Sequence, residues 1–325
     1  MATMSGGSNF GFSGIGQANT GTPTHYRKDG SPSAWFWESP DTLAQLEGVR
    51  QWIGKHYKKY VLVDPPSCQA LATVTLQLLQ FQEDAFGRQA ADPALTKLPI
   101  HCFLDLRPGG GLCHILGTAH KFKAEQGWRR FDLQNPSRTE RNVEMFAAIE
   151  VALVQNSCVS QPVVYLDHML DHELASKLTT IIVKHQGTLT DDRILASHHV
   201  FPLNSSTNDD NWMRPVVQKD KHVLVHWGMH PDSYDSWLSS SEVDGKVEEP
   251  PHTEKPWRVP ADWVLDTDVF NEWMNEEDYL VNERNIPVNF RQRISLREEQ
   301  DTKSTPIKKR RRSPSPSSES RKKGR

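Results

Sequence analysis

The sequence predicts an α+β chain built from several folded parts, and three observations predict it. From about residue 33 to 158, apolar residues recur at three- and four-residue intervals, the mark of amphipathic helices. From Gln161 the pattern changes to short β-branched runs flanking one helical stripe. Within this second region, Lys221 to Leu238 (KHVLVHWGMHPDSYDSWL) holds a β-branched run, Trp227, turn chemistry at His230-Pro231-Asp232, then Tyr234 and Trp237, which reads as a small twisted sheet. The expected organisation is disorder over 1–32, a helical domain over 33–158, an α/β domain over 159–282 with the small sheet inserted at 212–249, and a disordered basic tail over 283–325.

Composition agrees with that division. A chain of 325 residues has room for two or three domains, and 36% hydrophobic residues supports real cores while leaving some of the chain unfolded. The ends fit that remainder, the first thirty residues being rich in Gly, Ser, Thr and Asn. The net charge of -3 hides a split: from Lys303 onward ten Lys and Arg stand against one Glu, a balance of +9, which leaves -12 for the residues before. An acidic body is poor material for non-specific DNA binding, so any nucleic-acid contact is expected at the tail or at one local basic face. Cys68, Cys102, Cys113 and Cys158 are widely spaced with no CxxC pair, and no apolar run is long enough to span a bilayer. A reducing, soluble compartment is expected, and the cluster Lys308, Lys309, Arg310, Arg311 and Arg312 points to the nucleus. Beside it, Ser313-Pro314 and Ser315-Pro316 are candidate phosphorylation sites, where added negative charge would weaken attraction to nucleic acid or an import receptor.

Trp35 and Trp37 begin the ordered part, as a strand tucked beneath the first domain or as a sticky arm, with core packing favoured. Ser39-Pro40-Asp41 starts a helix carrying Leu43, Leu46, Val49 and Ile53, and Pro65-Pro66-Ser67 starts a second through Leu71, Val74, Leu78 and Phe81. Lys97 to Leu106 looks extended. Gly109-Gly110-Gly111, which lacks the Gly-Lys-Ser/Thr ending of a phosphate loop, is a turn before a third helix with Leu112, Ile115, Leu116, Ala119 and Phe122. Gln126 to Leu133 is expected as a short hairpin exposing Arg129 and Arg130, and a fourth helix runs from Thr139 through Val143, Phe146, Ile149 and Leu153. Helices with one hairpin suggest a winged-helix arrangement; its third helix offers His120, Lys121 and Lys123 but little else basic, so packing is favoured there over reading a DNA groove.

In the second region Val163 to Leu166, Gly187 to Thr190 and Ser197 to Phe201 are expected strands, with a helix over Asp171 to His185. His168 and His172 have metal-ligand spacing without an evident third ligand, and are expected to be solvated at the start of that helix. His198 and His199 should alternate, one buried and one exposed. The carboxylate pairs Asp191-Asp192, Glu248-Glu249 and Glu276-Glu277 lie in polar sequence where hydration is expected. No catalytic constellation, metal site or cofactor is expected, so the chain is read as a non-enzyme.

Longer phrases carry a family resemblance. WIGKHYKKY, LLQFQEDAFGR, QGWRRFDLQNPSR and FNEWMNEEDY resemble the N-terminal region of the Moira or SMARCC scaffold subunits of SWI/SNF chromatin remodellers, from about Tyr26 to the tail. That family's N-terminal module is a MarR-like helical domain joined to a BRCT domain with a chromodomain inserted. The strand, helix, Gly-Thr, strand order after Gln161 resembles the first half of a BRCT domain, and Trp263 in PADWVLDTDVF matches the Trp of its last helix. Leu166-Asp167 stands where phosphopeptide-reading BRCT domains carry a hydroxyl and a Gly, so a docking BRCT is implied rather than a reader. Residues Trp212 to Glu249 resemble a chromodomain, whose methyl-lysine cage would draw on Trp227, His230, Tyr234 and Trp237 as a candidate aromatic surface. His230 stands where a cage aromatic belongs, and no Tyr or Phe lies in the twenty residues before Trp227.

The resemblance implies a non-catalytic scaffold of a SWI/SNF-type remodeller. Its partners would be the other subunits, with histone tails or nucleosomal DNA reached through the tail, and no membrane. The family continues into SWIRM and SANT domains and a coiled coil, so a fragment or a short isoform is expected, the ATPase belonging to another subunit. A methyl-lysine reader and a winged-helix DNA binder are the alternatives.

Overall fold

The computed structural model describes residues 34–202, 213–227, 230–231, 236–241, 243 and 256–279. Seven helices form the first part: α1 (Ala34–Glu38), α2 (Pro40–His56), α3 (Lys58–Val61), α4 (Cys68–Phe86), α5 (Ile100–Leu104), α6 (Gly111–Glu125) and α7 (Thr139–Gln155). Two start where local chemistry predicted. The Ser39 hydroxyl accepts the Thr42 N–H at 3.3 Å and the Ser67 hydroxyl accepts that of Ala70 at 3.1 Å, each satisfying a backbone donor that the helix leaves unpaired. Gly111 through His120 are buried without a break, so α6 is the central helix, packed by α2, α5 and α7 around Leu46, Ile53, Leu112, Ile115, Phe146 and Ile149.

Three local expectations are corrected. Trp37 lies in α1 and not on a strand, while its expected core packing holds: it is buried in the helical core beside Phe36. Lys97 to Leu106 is not extended throughout: Pro99, whose ring fixes φ at -59°, turns the chain into α5, where Cys102 and Phe103 are buried. Gln126 to Leu133 forms no hairpin, and among the described residues no strand precedes Val163. Gly127, at φ +65°, ends α6 and starts an irregular loop that is held by packing instead of a ladder. Trp128 sits edge-on to Phe122 and beneath the Arg138 guanidinium, and the Leu133 carbonyl accepts from Asn142.

The second part is a four-stranded parallel sheet in the order β2-β1-β3-β7, formed by β1 (Val163–Leu166), β2 (Thr188–Leu189), β3 (His198–Phe201) and β7 (Trp257–Pro260). Helix α8 (His172–Lys184), capped by the Asp171 carboxylate on the Leu174 N–H at 2.9 Å, links β1 to β2; α9 (Ala261–Phe270) follows β7. Both helices cover the face presenting Val164, Val200 and Val259. The central strand β3 has both faces covered, so His198 and His199 are both buried: His198 stacks on Trp263 at 4.6 Å, while His199 meets Tyr165 and the Arg193 carbonyl on the other face. That corrects the expectation of one buried and one exposed.

Between β3 and β7 lies an antiparallel sheet of β4 (Met213–Lys219), β5 (His222–Trp227) and β6 (Ser236–Ser239). β3 and β7 pair directly across it, His198 with Trp257 and Val200 with Val259. The sequence before the small sheet and the sequence after it thus complete one parallel sheet.

Replacing Asp171 with Ala removes the α8 cap and should cost about 1 kcal/mol, read as a fall of about 2–4 °C in the thermal midpoint for a body of this size.

Candidate functional site

Nine residues following α9, Asn271 to Tyr279, join the helical part, the parallel sheet and the inserted sheet. Asn271 ends α9 in the left-handed region, φ 52°, a conformation Asn tolerates, and its N–H returns to the Thr267 carbonyl. This turn aims the Asn271 amide at the helical part, where it donates to the carbonyls of Phe86 at 2.7 Å and Leu95 at 2.8 Å; the Asn271 carbonyl accepts from Lys97 N–H. Glu272 accepts the Ile100 N–H at 2.9 Å with one oxygen and sets the other 3.3 Å from the Lys97 ammonium, which donates to Glu83 at 2.6 Å. The Lys97 side chain is 5% exposed and Glu272 3%.

The next residues turn to the parallel sheet. The Trp273 indole donates to the His185 carbonyl at 3.0 Å and stacks on Trp263, whose indole donates to the Met274 carbonyl at 2.9 Å. His185 in turn contacts the helical part through Thr96, at 3.0 Å. Burial holds the His185 pKa down, against the opposing pull of Asp268. Glu276 lies 2.9 Å from His198 Nε2, and Tyr279 donates to Asp266 at 2.7 Å.

Glu277 and Asp278 reach the inserted sheet. Arg214, on β4, donates to Glu277 at 2.7 Å and lies 3.3 Å from Asp278, whose other oxygen is 2.9 Å from His226 Nε2 on β5. His226 is fully buried and Asp278 nearly so. The pair Glu276-Glu277, read in sequence as hydrated, is therefore committed to buried basic partners 78 and 63 residues away. Nothing local pointed to those partners; the dense run of Asn, Glu and Trp in FNEWMNEEDY was the available signal.

β5 carries the inserted sheet onto the helical part. Its two faces diverge: Val223, Val225 and Trp227 pack with Met213 and Val243, while Leu224 joins the helical core, with Trp237 packed against it. Leu224 opposes Trp237 in the ladder. Trp227 and Trp237 thus stand on opposite faces, and Trp227 is 7% exposed. The structure does not bring these two Trp residues onto one surface. His230 lies edge-on to Phe270 at 5.7 Å. Tyr234 lies outside the described residues, as do Lys308 to Arg312, Ser313 and Ser315.

Asp167, after β1, is buried and accepts the Met169 N–H in a tight turn. His168 and His172 are exposed beside it. A cavity of about 480 Å³ lies on the helical part between α2 and the segment Leu104 to Pro108. Its Asp105 is engaged by Arg107 and by the Gly111 N–H, and the Arg107 guanidinium holds the carboxyl below its usual range. The described residues contain no helix long and apolar enough to cross a membrane.

Fold and seam together define a helical unit, a parallel α/β unit and a small inserted sheet held by shared buried charges. Residues 26–159 match the family model described as the SWIRM-associated domain at the N-terminal, a family tied to subunits of SWI/SNF-type chromatin complexes. The match covers the helical unit and ends just before β1.

Replacing Lys97 with Ala strands Glu83 and Glu272 in a dry seam and should cost about 3–5 kcal/mol, since an uncompensated buried charge is left behind; urea unfolding measures it. Burial also lowers the pKa of His114 and His120, that of His120 to about 4. A His depressed in the folded state takes up protons more readily when unfolded, near pH 6.5. Stability is therefore complete above about pH 6.5 and declines as pH falls toward 4. Denaturant midpoints at pH 7 and pH 5 should show that decline, and His120→Gln should flatten it.

Proposed function

We propose that this chain is a non-catalytic scaffold subunit of a SWI/SNF-type chromatin-remodelling complex, of the SMARCC/Moira kind, acting in the nucleus to regulate transcription through protein docking. The observation that carries the reading is the segment Asn271 to Tyr279, which spends its polar groups on fixing three units to one another. Buried, mutually satisfied charge contributes shape and register more than reactivity. The match of residues 26–159 to the SWIRM-associated domain supports the chromatin assignment.

The finer domain readings fit this role. A BRCT-like second unit is supported by the 2-1-3-7 strand order, the pairing of β3 with β7 and the buried Trp263 on the last helix. Its docking rather than phosphate-reading character is supported by Asp167, an acidic residue occupied in its own turn. A chromodomain-like insert is supported by the three-stranded antiparallel sheet with Trp227 at the end of β5. A MarR-like first unit rests on helix order and lacks a β wing among the described residues.

Affinity purification of the tagged full chain from nuclear extract should recover the remodelling ATPase and its companion subunits, and recovery should fall for Lys97→Ala. Recovery of no remodeller subunit by the wild-type chain overturns the reading. For the methyl-lysine alternative, calorimetry should find no preference for methylated over unmodified histone peptides, with Trp227→Ala as the control; a clear preference abolished by that substitution would restore it.

A further inference from the structure

The body of this chain is acidic, yet one face of the helical unit is not. Residues 121–141 hold six Lys and Arg against three Asp and Glu. The loop after α6 makes that excess into a surface. Gly127 reverses the chain, its N–H returning to the Ala124 carbonyl and that of Trp128 to the Lys123 carbonyl. Trp128 is then fixed against Phe122 and beneath Arg138, and Phe131 is fixed against His120, with the Lys123 ammonium 5.5 Å from its ring centre. Arg129 and Arg130, between these two anchored aromatics, are exposed. Arg138 reaches back to the Arg130 carbonyl at 3.5 Å, and Lys121 is exposed on the last turns of α6.

The acids nearby are partly occupied. Asp64 faces Lys123 at 3.5 Å and Asp132 accepts from Asn135, while Glu125 is exposed. The aromatics of this loop are spent on one another and on cation contacts, so the face offers cationic side chains without an apolar anchor among those rings. A protein interface draws its affinity from buried aromatic anchors, whereas a polyanion is bound by charge and counterion release. Guanidinium groups also match phosphate oxygens with two parallel donors.

We propose that the loop face formed by Lys121, Arg129, Arg130 and Arg138 is a contact site for the phosphate backbone of duplex DNA. It reads no sequence: a loop carrying exposed cations positions a protein on a duplex and leaves base edges alone. The site does not require a helix to enter a groove, since α6 is buried over Gly111 to His120 and only its last turn reaches the basic face. It also lies outside the Asn271 to Tyr279 seam, so contact with DNA is compatible with the scaffold role.

Fluorescence anisotropy of a labelled mixed-sequence duplex tests this with the full chain, in the natural background and in one with Lys308 to Arg312 changed to Gln. In both backgrounds R129Q/R130Q should weaken binding at least about tenfold near 0.1 M salt and lower the slope of log affinity against log salt by about two. R129K/R130K should retain most of the affinity, and thermal midpoints should stay unchanged because both side chains are exposed. Unchanged affinity in R129Q/R130Q overturns the proposal. So does complete loss of binding on neutralising Lys308 to Arg312 alone. An acidic poly-glutamate peptide bound as tightly as the duplex, with the same loss in R129Q/R130Q, also overturns it and makes the face a protein contact.

Discussion

The Lys97 ammonium is the point on which the architecture turns. It is buried between Glu83 of the helical unit and Glu272 beyond the parallel sheet, so its full set of acidic partners is present only while both units are in place. A surface ion pair would tolerate separation of its partners, because water would take over. Here both charges are shielded from water in the assembled seam, so removing one partner leaves the other buried and uncompensated. Asn271 adds a second constraint of the same kind, since its amide closes two backbone carbonyls of the helical unit that would otherwise need other donors. Geometry between units is thereby specified by polar groups, while apolar burial within each unit supplies the stability.

The inserted sheet shows how a small element is made part of a larger body. Three short strands bury little on their own, and only one face of β5 closes a local cluster. The other face is divided: Leu224 and Trp237 go to the helical core and His226 goes to Asp278. The sheet therefore leans on both neighbours, with the bulge between Pro215 and Val217 interrupting the pairing of its outer strand β4. Trp227, which in isolation looks poised to trap a ligand, packs here with Met213, Val223, Val225 and Val243.

Much of the fold was legible wherever the cause was local. Ser39, Ser67 and Asp171 announced helix starts because a cap acts over three residues, and β1 fell on Val163 to Leu166 because a β-branched run between breakers has few other solutions. Errors appeared where a short apolar run carried no period, as in Lys97 to Leu106, or where aromatic packing replaced a ladder, as in Gln126 to Leu133. The seam was not legible at all from local rules. Glu272 and Ile100 are 172 residues apart, and nothing about an acidic residue after a helix reveals a distant ammonium. Glu276 and Glu277 had the composition of solvated charge, yet both are half-buried and engaged by buried basic side chains, because their partners are fixed by topology.

The position of the clasp in the chain has a temporal consequence. A ribosome releases the helical unit first, then β1 to β3, then the small sheet, and only afterwards β7, α9 and residues 271–279. Until those last residues emerge, Lys97, His198, Arg214 and His226 each lack the acidic partner from this segment that the finished chain provides. The three units are made in sequence but the buried charge pairs between them close last, so a chain ending just before Asn271 would carry the strands and α-helices of all three units and lack the acidic partners that fix their arrangement.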